Sequence, residues 1–286
     1  GAATESAPAP NGRDDMTWTN SEIAALVEPD RVHRKAYVDP EIFDLEMERI
    51  FERTWIYVGH ESQVKNPGDY YRAQVGRQPM VMVRDSEGQI HVLYNRCPHR
   101  GAQLCSARKG NTGNHIYCSY HAWTFHLDGR LESMPAKQGY DGTKLDFENP
   151  EFHVARPARS DNYRGFWFAS LSEDGPDLKT HLGESAAAFD QLIDRAPGKE
   201  TEVVGSCFHM IQQSNWKIFL ENQLDASHPG VTHESTGKAA QMLEARIRDD
   251  GKPVPMELSF LSDFARLGHD GWTKFGTVGY RNGHSS

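Results

Sequence analysis

Cys97-Pro98-His99-Arg100-Gly101 and, twenty-odd residues on, Cys118-Ser119-Tyr120-His121 are the stretches on which the reading of this chain turns. Each sets a thiol beside an imidazole. In an extended segment residues i and i+2 point the same way, so Cys97 and His99 can converge on one centre, and Pro98 favours the extended form at Cys97. Gly101 lets the backbone turn close beside them. Two cysteines and two histidines make four ligands. A two-iron, two-sulfide cluster asks for that number, because each iron already holds two bridging sulfides. Neutral imidazoles in place of two anionic thiolates raise the reduction potential of such a cluster. The competing reading is a structural Cys2His2 zinc site. Zinc sites more often pair like ligands, C-x2-4-C with H-x3-5-H, whereas here each loop supplies one of each.

Around these loops lie short apolar or alternating pieces: WIYVGH (55–60), DYYRAQVG (69–76), PMVMVRD (79–85) and IHVLYNR (90–96). The turn signals Asn66-Pro67-Gly68-Asp69 and Asp85-Ser86-Glu87-Gly88 separate them, which reads as a small antiparallel β domain. It continues through Tyr117-Cys118, Trp123-Thr124-Phe125 and the hairpin-like Asp128-Gly129, and closes near Tyr163-Arg164-Gly165-Phe166-Trp167-Phe168. Upstream, Ile42, Leu45, Ile50 and Phe51 stand near helical spacing between Pro40 and Trp55, an expected amphipathic helix. Downstream, Leu178, Leu182, Ala186, Phe189 and Ile193 repeat at helical spacing until Ala196-Pro197-Gly198 stops the segment. A strand is expected at about 201–211 and a helix from about Asn215. The fold class expected is therefore α+β. Residues 1–20 form a mobile tail, 21–55 a helical segment, 56–170 the β domain, and 171–286 the start of an α/β domain with an antiparallel sheet and helices.

Among 286 residues the formal charge is −9. That argues against nucleic-acid binding, since a phosphate backbone is met by clustered Lys and Arg. No run approaches the roughly 18 consecutive apolar residues of a membrane helix, and the first residues lack a signal-peptide pattern, so no membrane association and a cytoplasmic location are expected. Four unevenly spaced cysteines do not make a secreted disulfide framework. Cys105 and Cys207 read as small buried hydrophobes. The opening Gly1 and the unfinished look of Arg281-Asn282-Gly283-His284-Ser285-Ser286 read as those of a fragment.

A second constellation runs from Asn215-Trp216-Lys217 through Glu221-Asn222 to Asp225, His228 and His233. On a helix Asp225 and His228 share a face, whereas His233, five beyond His228, turns away. Pro229-Gly230 is expected to break the helix there and bring His233 back toward His228. Two imidazoles with a carboxylate leave positions open on ferrous iron for oxygen. The bland alternative is two surface histidines beside a Pro-Gly turn.

Taken together, C-x-H…C-x2-H with His99-Arg100-Gly101-Ala102 and His121-Ala122-Trp123, followed by N-W-K, E-N, D-x2-H and x4-H, resemble the Rieske non-haem iron oxygenases. The likeness is to the large (alpha) subunits of aromatic-ring-hydroxylating dioxygenases and covers about residues 33–240. It implies a [2Fe-2S] cluster on Cys97, His99, Cys118 and His121, and a mononuclear Fe(II) on His228 and His233. Asn222 would lie near that iron, and Asp225 would bridge to a cluster histidine of the neighbouring subunit. A homotrimer or an alpha3beta3 assembly is implied, because cluster and iron within one chain stand too far apart. Electrons would come from NADH or NADPH through a reductase, often with a ferredoxin between, and the aromatic ring would be hydroxylated with O2, most often as a cis-dihydrodiol. The third iron ligand of the family is an Asp far downstream, past the end of this chain; Asp249, Asp250, Asp263 and Asp270 come too early. Ala102 and Tyr120 stand where respiratory Rieske proteins place the cysteines of a loop-tying disulfide. Monooxygenation or O-demethylation stays open within this class, and a ferredoxin-like electron carrier is the alternative outside it.

Overall fold

The computed structural model describes residues 18–205, 210–225, 227–268, 271, 274, 279–281 and 284. Most of the expected tail, and Cys207, lie outside the described residues. The chain divides into two compact units, Gly1–His181 with Ala196–His209, and Leu182–Arg195 with Met210–Ser286.

The first unit opens with α1 (Asn20–Ala24), whose N-cap Thr19 and Glu22 form a reciprocal capping box. A two-residue hairpin of β1 (Val27–Glu28) and β2 (Arg31–Val32) and the single turn α2 (Lys35–Val38) lead to α3 (Pro40–Glu46). Pro40 suits a first turn because its missing N–H has no helical partner there, and Asp39 accepts from the Glu41 and Ile42 amides. The helix expected over Pro40–Trp55 is α-helical only to Glu46; Met47–Phe51 forms a π-helical turn. The wider turn rotates the later side chains, so Ile42 and Leu45 are buried while Ile50 is exposed.

Ten further strands follow: β3 (Ile56–His60), β4 (Asp69–Val75), β5 (Gln78–Arg84), β6 (Ile90–Tyr94), β7 (Lys109–Asn111), β8 (His115–Tyr117), β9 (Thr124–His126), β10 (Leu131–Ser133), β11 (Arg159–Tyr163) and β12 (Phe166–Ser170). They pair antiparallel in three sheets, ordered β6-β5-β4-β7, β10-β9-β8 and β11-β12-β3. The unbroken apolar run of β5, residues 79–83, follows from burial on both of its faces. Met80 and Met82 face one core with Val58, Val64 and Val75, whereas Val81 and Val83 face the other with Leu93, Phe125 and Leu131. Each such side chain contributes about 1.5–3 kcal/mol by leaving water. The second core also holds Cys97, Cys118 and Trp123, so the ligand loops are rooted in it.

The helical run expected over 178–193 is two helices, α4 (Leu178–Leu182) and α5 (Ala186–Asp194), with a 3-10 turn at Gly183–Ser185 between them. Gly183 adopts φ 50, which ends the first helix. The strand expected at 201–211 is not found at its described positions, 201–205, 210 and 211; the others lie outside the described residues. Gly205 is left-handed at φ 75, and the Val203 amide donates to Ser62 Oγ at 2.9 Å rather than to a neighbouring strand. Among its described residues the second unit is built of helices: α5, α6 (Trp216–Leu224), α7 (His228–Thr232), α8 (Glu234–Asp249) and α9 (Met256–Arg266). No helix among the described residues is long and apolar enough to cross a membrane.

Candidate metal centres

The two ligand loops are built alike. In the first, the Cys97 amide donates to Ala102 O at 2.8 Å and the Gly101 amide donates back to Cys97 O at 2.9 Å. In the second, the Cys118 amide donates to Trp123 O at 2.8 Å and the Ala122 amide donates to Cys118 O at 3.0 Å. Each loop therefore turns through a left-handed residue at its fifth position, Gly101 at φ 74 and Ala122 at φ 57. This closure brings the imidazoles together: the rings of His99 and His121 lie 4.7 Å apart, centroid to centroid, at 72°. Two imidazoles sharing one ion at ~2.1 Å per nitrogen have centroids roughly 5 Å apart.

The two thiols are neighbours as well. Cys97 and Cys118 are 2% and 1% exposed, and the Cys118 sulfur bears on the ionisation of Cys97. Burial pushes the Cys97 thiol up to about 11, with the Cys118 sulfur adding to the rise, while the His99 and Arg100 amides aimed at Cys97 oppose it. Burial also lowers the His99 pKa, helped by His121 and Arg100. Each shift favours a side chain without net charge. Buried His99 Nδ1 has no hydrogen-bond partner, and an orphaned buried lone pair costs about 1–3 kcal/mol. The donor set, its convergence and that orphan nitrogen fit a [2Fe-2S] cluster held by two thiolates and two imidazoles.

Three neighbours have contacts that the sequence did not reveal. Trp123 lies flat on His99, planes 4° apart at 4.7 Å, and is itself wedged among Phe125, Tyr140 and Phe152. Tyr120, 62% exposed, leans on His121 at 3.9 Å. Buried Asn95 accepts from the Cys105 amide at 2.8 Å and donates to Cys105 O at 2.8 Å, pinning the chain just after the first loop. Cys105 is buried as expected, and burial raises its thiol to about 11.

The second constellation folds differently from its expectation in one respect. The break falls at Asp225, the C-cap of α6 with extended backbone (φ −82, ψ 109), and not at Pro229-Gly230. Pro229 instead sits in the first turn of α7, where a proline is welcome. A second bend comes at His233, between α7 and α8, at φ −102 and ψ 12. Between the two bends the rings of His228 and His233 come to 5.5 Å at 71°.

Asp225 and Asn222 both address His228. Asp225 Oδ1 accepts from the Ser227 amide at 2.7 Å, and Oδ2 lies 3.3 Å from His228 Nδ1 as an ion-pair contact without hydrogen-bond geometry. Asn222 Nδ2 is 3.3 Å from His228 Nε2. The Ser227 amide first, then the His228 amide and ring, hold the Asp225 carboxyl below its ordinary range. A carboxylate at Nδ1 favours a proton there and keeps the lone pair on Nε2, the usual arrangement behind a metal-binding histidine. The pair thus fits a mononuclear ion. Among the described residues no carboxylate joins His228 and His233 at ligand spacing.

Residues 54–147 match the family model of the Rieske [2Fe-2S] domain. The chain is 39% identical over 241 residues to toluate 1,2-dioxygenase subunit alpha of Pseudomonas putida, covering 81% of this chain and 52% of that one. It is 37% identical over 260 residues to the anthranilate 1,2-dioxygenase large subunit of Acinetobacter baylyi, covering 89% and 52%. A solved structure of naphthalene 1,2-dioxygenase from Rhodococcus sp., bound to indole, superposes with a TM-score of 0.70 at 32% identity, over 77% of this chain and 51% of that one. The chain spans about half the length of the curated relatives it matches.

Proposed function

Because the chain belongs to the Rieske non-haem iron oxygenases, in the line of the alpha subunits of aromatic-ring-hydroxylating dioxygenases, we propose that its protein hydroxylates an aromatic ring by cis-dihydroxylation with O2. The observation that carries this reading is the second imidazole pair, His228 and His233, with Asp225 and Asn222 turned on His228. A ferredoxin-like electron carrier has no use for a second pair of convergent imidazoles.

In this reading Cys97, His99, Cys118 and His121 hold the [2Fe-2S] cluster, and His228 and His233 hold Fe(II). When bound, the cluster supplies single electrons and the mononuclear iron activates oxygen. The chain's own residues prepare both centres. The His99 and Arg100 amides aimed at Cys97 stabilise thiolate at that corner. Trp123 fixes the plane of His99 by stacking and seals the inner side of the cluster loops with apolar surface. Asp225 orients His228 and is the residue through which electrons from a neighbouring subunit's cluster would enter, which calls for a homotrimer or an alpha3beta3 assembly. NADH or NADPH would deliver electrons through a reductase, with or without a ferredoxin. The relatives named for toluate and anthranilate point to a single ring bearing a carboxylate as the substrate class.

Purified holoprotein with a reductase and NADH should take up oxygen with benzoate-type substrates. Labelled O2 should place both of its atoms in one product. A single labelled atom would instead mark monooxygenation. Unchanged oxygen across a panel of aromatics, from protein holding both the cluster and the mononuclear iron, would remove the proposal.

A further inference from the structure

His115 in β8, His126 in β9 and Glu132 in β10 come from three adjacent strands of one sheet. His115 and His126 are direct cross-strand partners. Between Leu131 and Ser133 the register of β10 against β9 shifts, and that irregularity falls at Glu132. One ligand atom from each of the three lies within 4.8 Å of the others. His115 Nε2 and Glu132 Oε1 are 3.0 Å apart, and the imidazole rings are 6.2 Å apart at 53°. Glu132 Oε2 is buried with no hydrogen-bond partner, although the side chain as a whole is 32% exposed.

The geometry points to a second, independent metal site on these three side chains, for a borderline divalent ion such as zinc. Two imidazoles and one carboxylate are a donor set that zinc takes, with a water or other ligand in the fourth position. Tetrahedral ligands at ~2.1 Å from zinc lie roughly 3.4 Å apart, so side-chain rotations of the size allowed within one rotamer well close the present spacing. Two imidazoles disfavour calcium and magnesium, which prefer oxygen. An ordinary His–Glu ion pair accounts for Oε1 but leaves Oε2 orphaned and the second imidazole beside it without a role. The half-exposed position lets an ion enter from solvent.

The location gives the site a purpose. β8 runs straight into Cys118, and β9 starts immediately after Trp123. An ion gripping β8, β9 and β10 therefore ties together the base of the second ligand loop, away from the cluster's own ligands.

The test is zinc content of cluster-loaded holoprotein after incubation with zinc and gel filtration, read by elemental analysis beside iron. Wild type should retain one zinc per chain more than Glu132→Gln and His126→Ala. Iron and the visible spectrum should match in all three. Affinity in the variants should fall by more than the roughly 10–100-fold that loss of an outer-shell partner brings, because each variant removes a direct ligand. Glu132→Gln keeps the volume of the side chain, so it stays informative if His126→Ala folds poorly. Equal zinc in all three proteins would overturn the site, as would zinc gained only as iron is lost.

Discussion

Ala122 holds φ 57 in the same structural place that Gly101 holds φ 74. A side chain in the left-handed region costs about 1–2 kcal/mol, and glycine gives back about 0.4–1 kcal/mol of that through its freer unfolded chain. Ala122→Gly should therefore raise stability by about 0.5–1 kcal/mol, seen as a higher urea midpoint with the cluster spectrum intact. An unchanged or lower midpoint would show that the loop does not strain Ala122. At Asp225 the expected effect is on chemistry. Asp225→Ala should keep cluster colour and iron while turnover falls on the order of 10–100-fold, because His228 loses its orienting carboxylate and electrons lose their route. Full activity in that variant would refute the route. The residue scale was also the most legible from sequence. Ligand types and their spacing are local, so Cys97, His99, Cys118 and His121 could be named as candidates from sequence, and the fold adds the convergence of the two imidazoles. The grouping of His115, His126 and Glu132 could not, since it depends on cross-strand register and on an irregularity at β10.

Among the elements, the contact between α8 and α9 is sharply specified. Gly237 faces Ala265 so closely that a Cβ added there would lie 2.3 Å from the Ala265 Cβ. Glu244, 1% exposed, accepts from Arg248 at 2.6 Å on its own helix and from Arg266 at 2.7 Å on the other. The Ser262 hydroxyl beside it, then the two guanidiniums, hold the Glu244 carboxyl down to about 2. Ser262 Oγ itself has no hydrogen bond of good geometry, so the arginines carry the clasp. A carboxyl depressed in the folded state lends stability above its unfolded value of ~4.3 and loses it as pH falls through about 2. Helical circular dichroism should accordingly fade from about pH 4 downward in wild type. Glu244→Gln should be less stable at neutral pH and flatten that acid limb; a limb unaltered by the substitution would place the titration elsewhere. Elements were less legible than residues. Pro229-Gly230 looked like a helix break, yet proline starts a helix as readily as it ends one, and the bends came at Asp225 and His233. The π-turn at Met47–Phe51 leaves the apolar spacing of a helix almost unchanged, so periodicity could not reveal it.

For the molecule as a whole, the proposed route between subunits has a direct consequence. On the proposed assignment His121→Ala removes a cluster ligand and His228→Ala an iron ligand, so each protein alone should be inactive. Co-expressed in equal amounts in a ring of three, they should recover roughly a quarter of wild-type turnover, since half the irons survive and half of those face an intact cluster. No recovery in purified mixed trimers would confine electron flow to a single chain. Composition and charge had spoken only of broad class at this scale. What they could not convey is how the β domain is anchored, with the alternate side chains of β5 shared between two cores.

The bond between Asn95 and Cys105 fastens the chain beside the first loop with two neutral hydrogen bonds. A buckle of this kind has no electrons to gain or lose. Neither glutathione nor peroxide can open it, so the casing around the cluster should stay shut through swings in cellular reductant that would loosen a sulfur–sulfur link, and oxidative injury should strike the iron and sulfide first.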